Sequence, residues 1–320
     1  MRRRSLLALG LALPCPALAQ APAWPARNIR VVVPFGAGGI IDVVARIICE
    51  AMGRELGATL VVENMPGGGT SIGGRAVARA PADGHTLLLT GASQAVVPVM
   101  VPEAGYDVFT DFVAVAPLGD QPFVLAVHPG VPAQDVAGLI AWLKQRPGVA
   151  NFATTGLGAA SHLAGELLKS MAGVEFTVVP YRGTPQAVTD LVAGRADLMI
   201  DSQTLLAPMA AEGRVRLLAV TTPRRSAMLP ALPTLAESGL PGFAASSWQG
   251  LYAPRGTPAA VVQRLAAAAA AAKADAGVQR RFTEAGVEAF PGGPAELAAF
   301  LRAENARWTP LLQAAGIKGG

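Results

Sequence analysis

The sequence predicts an α/β protein of two lobes joined by two crossing strands, with a cleft between the lobes. Three observations predict it. Short β-branched apolar runs alternate with stretches of helical periodicity, a pattern that places helices over a parallel sheet. The alternation runs once, lapses, and restarts near residue 123. Two extended segments, near 122–128 and 246–253, follow Pro/Gly-rich turns and mark the lobe boundaries. Two α/β lobes joined in this way form a hinge. The chain has 320 residues, 52% apolar and only 15% charged, which excludes a disordered chain and a coiled-coil rod.

The elements follow in order. Ile29-Arg30-Val31-Val32-Val33 reads as a strand. A Gly-rich loop and a helix from Ile40 to Leu56 come next, with Gly57 as the stop. Thr59–Val62 is a strand, Pro66–Gly69 a loop, Ser71–Ala80 a short helix and Thr86–Leu89 a third strand. The second lobe opens on strand Phe123–Val127, followed by helix Val136–Lys144 and strand Asn151–Ala153. Helix Ser161–Met171, strand Phe176–Val179, helix Gln186–Val192, strand Leu198–Ile200 and strand Arg216–Val220 complete it. An extended run at Trp248–Tyr252 returns the chain to the first lobe. Helices Ala259–Ala274, Ala276–Gly286 and Ala295–Leu312 close it. The lobes are therefore 22–124 with 249–320, and 125–248.

Residues 1–21 read as a leader. Met1-Arg2-Arg3-Arg4 is a positive cap, Leu6–Leu13 a short apolar run, and Ala17-Leu18-Ala19 or Ala19-Gln20-Ala21 a cleavage pattern. The run is too short for a membrane span. Arg3-Arg4-Ser5-Leu6-Leu7 also fits a twin-arginine export signal. Cys15 lies inside this leader, and Leu13-Pro14 before it fit a lipoprotein signal poorly. Taking away three arginines and no acid from 26 basic and 22 acidic residues leaves an excess of one. That is no footprint for nucleic acid or an anionic membrane. The expectation is an exported protein. Cys49 is then the only cysteine of the mature chain, so no internal disulfide forms, and its apolar neighbours predict a buried thiol.

The strongest local signal is Val33-Pro34-Phe35-Gly36-Ala37-Gly38-Gly39, placed between a strand and a helix. Glycine there lets backbone approach a ligand, and the helix start offers unpaired N–H groups and a positive dipole end. Two readings stand: an anion site without a basic side chain, or a plain tight turn. A dinucleotide fingerprint lacks its third glycine, since Ile41 occupies that position. No Gly-Lys-Ser/Thr occurs, so a P-loop is excluded. Thr154-Thr155-Gly156-Leu157-Gly158-Ala159-Ala160-Ser161-His162 is the second-lobe counterpart, where the hydroxyls serve equally as caps. Facing each other across a cleft, the two starts would clamp a small molecule with two acidic ends.

Enzyme chemistry finds little. Leu89-Thr90-Gly91-Ala92-Ser93-Gln94-Ala95 faintly matches a nucleophile elbow, but Ala95 replaces the last glycine and no histidine follows His162. His85, His128 and His162 are isolated, which leaves no metal motif. No cofactor is expected.

With these loops in place, the chain resembles the Bug/TctC family, the periplasmic solute-binding proteins of tripartite tricarboxylate transporters. The resemblance rests on segments in a fixed order. They are Val33–Asp42 with Ala45-Arg46, Val62-Glu63-Asn64-Met65-Pro66-Gly67-Gly68-Gly69, and Asp83-Gly84-His85-Thr86-Leu87. Gly156-Leu157-Gly158 with Ser161–Leu167, Val179-Pro180-Tyr181-Arg182-Gly183 and Ala193–Asp201 follow. Glu237–Phe243 and Trp248–Pro254 complete them. It implies a periplasmic binding protein (Venus-flytrap) fold, capture of an organic carboxylate, no enzymatic activity, and a monomer that meets the membrane subunits of a transporter. By position, one carboxylate falls to Phe35, Ala37, Gly38, Gly39 and Asp42, partly through ordered water. The other half maps to Thr154, Thr155, Gly156, Ala159, Ala160 and Ser161. Gly67, Ser93, Gln94 and Asp201 would line the cleft, and Arg182 would meet a carboxylate or sit in solvent. Asp42 has a second reading, as a partner of the helix dipole and of Arg46. A sensor partner in place of a transporter, and an exported α/β hydrolase using Ser93, are the alternatives. Three departures stand out: Gly36 where the family often has proline, Ile40-Ile41 where a more polar pair is usual, and Ala159 where serine is common. Each removes a polar contact or adds apolar surface, so the expected ligand is less polar than citrate, an aromatic or short monocarboxylate.

Overall fold

The computed structural model describes residues 24–317 apart from Arg182, so the leader, Cys15 and both cleavage patterns lie outside the described residues. In chain order the first half contains β1 (Ile29–Val33), α1 (Ile40–Leu56), β2 (Leu60–Asn64), α2 (Ser71–Ala78), β3 (Thr86–Gly91) and α3 (Ser93–Met100). Strand β4 (Phe112–Val127) leads out of it. Then come α4 (Val136–Lys144), β5 (Asn151–Thr154), α5 (Ala160–Ala172), β6 (Thr177–Pro180), α6 (Thr184–Val192), β7 (Leu198–Ser202), α7 (Gln203–Ala211) and β8 (Arg216–Val220). Strand β9 (Ser246–Pro254) returns, followed by α8 (Ala259–Ala274), α9 (Ala276–Glu284), β10 (Glu288–Ala289) and α10 (Pro294–Ala314).

The ten strands of the described residues form one curled sheet, eight of them along the path β2-β1-β3-β9-β4-β7-β5-β6, with β8 and β10 off this path and paired to β4. The apolar runs at β1, β2 and β3 pair in parallel, as do β5, β6 and β7. The crossing strands differ: β9 is antiparallel to both β3 and β4, and β4 is antiparallel to β7 and β8. An all-parallel expectation fails there because β9 comes back along β4 rather than through a crossover helix. The expected strand Phe123–Val127 is the end of a 16-residue strand. Residues 112–122 pair with β9 and residues 123–127 with β7 and β8, so β4 changes partners between Pro122 and Phe123.

Local chemistry explains the helix limits. Gly57 ends α1 at φ 67°, a left-handed position that a Cβ disfavours. Asp135 caps α4 by accepting the Gly138 N–H at 2.7 Å, and Asp275 caps α9 by accepting the Val278 N–H at 2.9 Å. Helices α3 and α7 were not foreseen: each carries an internal proline, Pro98 or Pro208, which disguises a short apolar helix.

The core has three large parts and a small satellite of Val97, Ala104 and Val108. One buries α1, α8 and α9 residues such as Ile48, Leu265 and Phe282 against β1 and β3. Another fills the second half with Val188, Leu191, Met199 and Leu206. The largest joins the halves: Val32, Leu88 and Val96 share it with Leu125, Phe152 and Leu163, and with Leu301, Trp308 and Leu312 of α10. Glu304 fastens α10 to the returning strand, accepting Trp248 Nε1 at 3.2 Å and Trp308 Nε1 at 2.8 Å. Cys49 is buried, and burial pushes its thiol up to about 12.

Candidate functional site

A cavity of about 960 Å³ opens where the two halves meet. Its floor is the crossing strands, through Gln121, Phe123 and Ser247. Gln121 ties the walls together: its Nε2 donates to Ser202 Oγ at 3.0 Å and to the Ala285 carbonyl at 3.0 Å. The walls are helix starts. The N-terminal residues of α1, α3, α5, α6 and α7 all line this space, and none of the five has a side-chain cap. Free N–H groups and positive dipole ends therefore converge on one volume. No lysine, arginine or histidine is among the described lining residues. No group of His, Cys, Asp or Glu suited to a metal ion occurs among the described residues.

On the first wall the loop after β1 supplies Phe35, Gly36, Ala37, Gly38 and Gly39. Gly38 has φ 82°, and a Cβ added there would point into open space. Asp42 was expected to face the ligand, but it is buried behind the loop and does not line the cavity. Its Oδ2 accepts the Gly38 N–H at 2.9 Å and Arg46 Nε at 2.9 Å, while Oδ1 accepts Asn64 Nδ2 at 2.9 Å. Asn64 Nδ2 also donates to the Phe35 carbonyl at 3.1 Å. Burial alone would raise the Asp42 pKa, but these hydrogen bonds from Arg46, Gly38 and Asn64 hold it below the ordinary carboxylate value. Asp42 thus moors the loop by the charge pair with Arg46 that the four-residue spacing suggested.

On the second wall Thr155, Ala159, Ala160 and Ser161 line the cavity. Ser161 Oγ is the local hub, bonded to Thr154 Oγ1 at 2.8 Å, Thr155 Oγ1 at 2.9 Å and the Thr155 N–H at 3.3 Å. Thr154 stands behind it, fully buried, and Gly156 lies off the cavity at the bend of the loop. His162 Nδ1 accepts the Gly158 N–H at 3.1 Å, and burial lowers its pKa to about 4. This neutral histidine fixes the loop. Asp201 lines the cavity from the end of β7; its Oδ1 accepts the Ser202 N–H at 2.7 Å. Burial raises its pKa to about 6, against the opposing pull of Ser202 and Thr184.

Ser93 lines the cavity, while Gln94 is buried behind it and Gly67 packs on Ile72 away from the space. Arg182 lies outside the described residues. The sequence reading missed Gln121, Thr184, Gln186, Ser202 and Thr204. Gly183-Thr184-Pro185, with proline in the first helical turn, was a usable signal for a third helix start. Gln121 gave none, because only the strand crossing puts it there. Ser93 Oγ has Thr90 Oγ1 at 3.5 Å, and the hydrogen bonds found for the three histidines lead elsewhere, so among the described residues no histidine is paired with Ser93.

Residues 44–317 match the family model described as the tripartite tricarboxylate transporter family receptor. The chain belongs to this family. A UPF0065 protein encoded in the tcbD–tcbE intergenic region of Pseudomonas sp. (strain P51) is 41% identical over 314 residues, covering 97% of this chain and 94% of that relative. The solved structure of the periplasmic binding protein BugD has a TM-score of 0.81 at 36% identity, covering 93% of this chain and 100% of that one. R. palustris Rpa4515, solved with adipate, has a TM-score of 0.83 at 37% identity, covering 92% and 99% of the two chains. This receptor therefore has the periplasmic binding protein fold, and the proteins it resembles are solute-binding proteins.

Proposed function

We propose that this receptor captures a small organic carboxylate between its two lobes, 22–124 with 249–320 and 125–248, and presents it to the membrane subunits of a tripartite transporter without chemical change. The observation that carries this is the convergence of five uncapped helix starts on one cavity. Such groups bind anionic oxygen through backbone N–H and ordered water. Rpa4515 with adipate supports the ligand class, and BugD supports a periplasmic setting, where the leader would deliver the chain. Phe35, Ile40, Ile41, Phe123 and Leu205 make much of the lining apolar, so the ligand carries a hydrocarbon body and is less polar than citrate. The lobes would close by bending β4 near its change of partners and β9 at its start, because only closure brings every helix start onto one ligand.

The test is native mass spectrometry of the exported protein, to find what co-purifies, followed by calorimetry against citrate and benzoate-like acids. A co-purifying small carboxylate is expected; tight citrate binding with none of benzoate-like acids overturns the less-polar ligand. Gly38→Val should abolish binding and leave folding intact, since a β-branched residue does not hold φ 82° and the loop must shift. Unchanged affinity would count against the site.

A further inference from the structure

We infer that Asp201 makes the second wall a subsite for a hydrogen-bond donor, so that the preferred ligand is a monocarboxylate whose far end carries a hydroxyl or ammonium group. This rests on the carboxylate-capture reading above and narrows it. Asp201 sits at the end of β7, in register with Val124 of β4, one residue past the point where β4 changes partners. The residue is 6% exposed and lines the cavity, so the little surface it has faces the ligand space. The Ser202 N–H at 2.7 Å is donated to one of its oxygens, and Thr184 faces the same carboxyl from the start of α6. The N–H of Ser202, the residue just before α7, is thereby given to a protein carboxylate rather than left for a ligand.

A ligand carboxylate brought to this wall would meet an acceptor with no proton to offer, inside a desolvated site where like charges repel strongly. A hydroxyl or ammonium would instead complete Asp201's acceptor capacity. The first wall has the opposite character. Its acid, Asp42, is turned away and spent on Gly38, Arg46 and Asn64, which leaves the start of α1 for the ligand's carboxylate. The Asp201 corner of the second wall therefore differs in sign from the start of α1, and apolar side chains such as Phe35 and Phe123 lie in the lining.

The test uses four ligands with the same six-carbon chain: adipate, 6-hydroxyhexanoate, 6-aminohexanoate and hexanoate. Each is titrated by calorimetry at pH 8 into the full mature protein and into the Asp201→Asn variant. The expected result is that one of the two donor ligands binds wild type at least tenfold more tightly than adipate or hexanoate. Which of the two leads tells a neutral donor from a cation. In D201N the preference over adipate should shrink at least fivefold. If wild type binds adipate as tightly as either donor ligand, the inference is overturned while carboxylate capture stands. If the donor preference survives unchanged in D201N, the assignment to Asp201 is overturned. Failure of all four ligands to bind, in protein that melts cooperatively, would count against the carboxylate reading and this inference together.

Discussion

Asp42→Asn tests how the cavity-lining loop after β1 is held. The substitution keeps the side chain's shape and removes its charge. In the native protein the carboxylate accepts three donors: the Gly38 N–H, Arg46 Nε and Asn64 Nδ2, each at 2.9 Å. A carboxamide has one acceptor oxygen, so at least one of these donors would face an NH2 group. Arg46 is largely exposed and its pairing is screened, so the Gly38 and Asn64 bonds decide the cost. Losing one charge-assisted bond in a buried setting and weakening the other costs roughly 2–4 kcal/mol. For a chain of this size that is a fall in Tm of roughly 3–6 °C. Two effects then compete in binding. Removing a negative charge beside an anion site favours the ligand, but the charge lost was already paired with Arg46. Release of the Gly38 N–H displaces the backbone that forms the site, and this effect wins. Affinity for the co-purified ligand should fall at least tenfold, about 1.4 kcal/mol. Calorimetry gives the affinity and a thermal melt the stability. Wild-type affinity with an unchanged Tm would refute the claim that Asp42 moors the loop.

Two further outcomes follow from the same geometry. Ser161→Ala should strand the buried Thr154 hydroxyl and free that of Thr155, costing about 1–3 kcal/mol of stability and weakening ligand binding about tenfold, as read by melting and titration. Intact affinity would show that this hub does not shape the second wall. Asp120 on β4 has its pKa raised to about 6, by burial first and by Glu288 and Glu304 second, from an ordinary value of 3.8. A raised carboxyl stabilises the fold below the unfolded value, and that stability is lost as pH rises through about 6. Wild-type Tm should therefore fall relative to that of Asp120→Asn between pH 5 and pH 7; the two proteins are compared because Asp201 acts in the same direction over this interval and buried, neutral His162 in the opposite one. A wild-type-minus-variant difference that stays constant from pH 5 to pH 7 would contradict the raised Asp120 carboxyl.

Much of the fold was legible because local signals and final structure agree. Ile29–Val33 is apolar and β-branched, and it is a buried central strand. Helix α1 starts after the glycine loop and stops at Gly57, where a left-handed backbone position is needed. Ala259–Ala274, Val136–Lys144 and Arg216–Val220 were bounded to the residue by their periodicity and turn residues. The same signals located both glycine-containing loops that line the cavity, since a glycine run between an apolar strand and an amphipathic helix is written in consecutive residues.

What stayed hidden depends on neighbours distant in the chain. Residues 112–122 are strand because β9, more than a hundred residues later, pairs with them. Gln121 and Ser247 reach the cavity floor only through that pairing. Asp42 and Asp201 look alike in sequence, each an acid beside a helix start. The sequence set their chemistry and their place next to a loop. Packing decided their places: Arg46 and Asn64 draw Asp42 behind its loop, while the end of β7 leaves Asp201 lining the cavity. Side-chain direction is a property of three-dimensional contacts, so one-dimensional order supplied the parts of this receptor and the meeting of its two halves assigned their work.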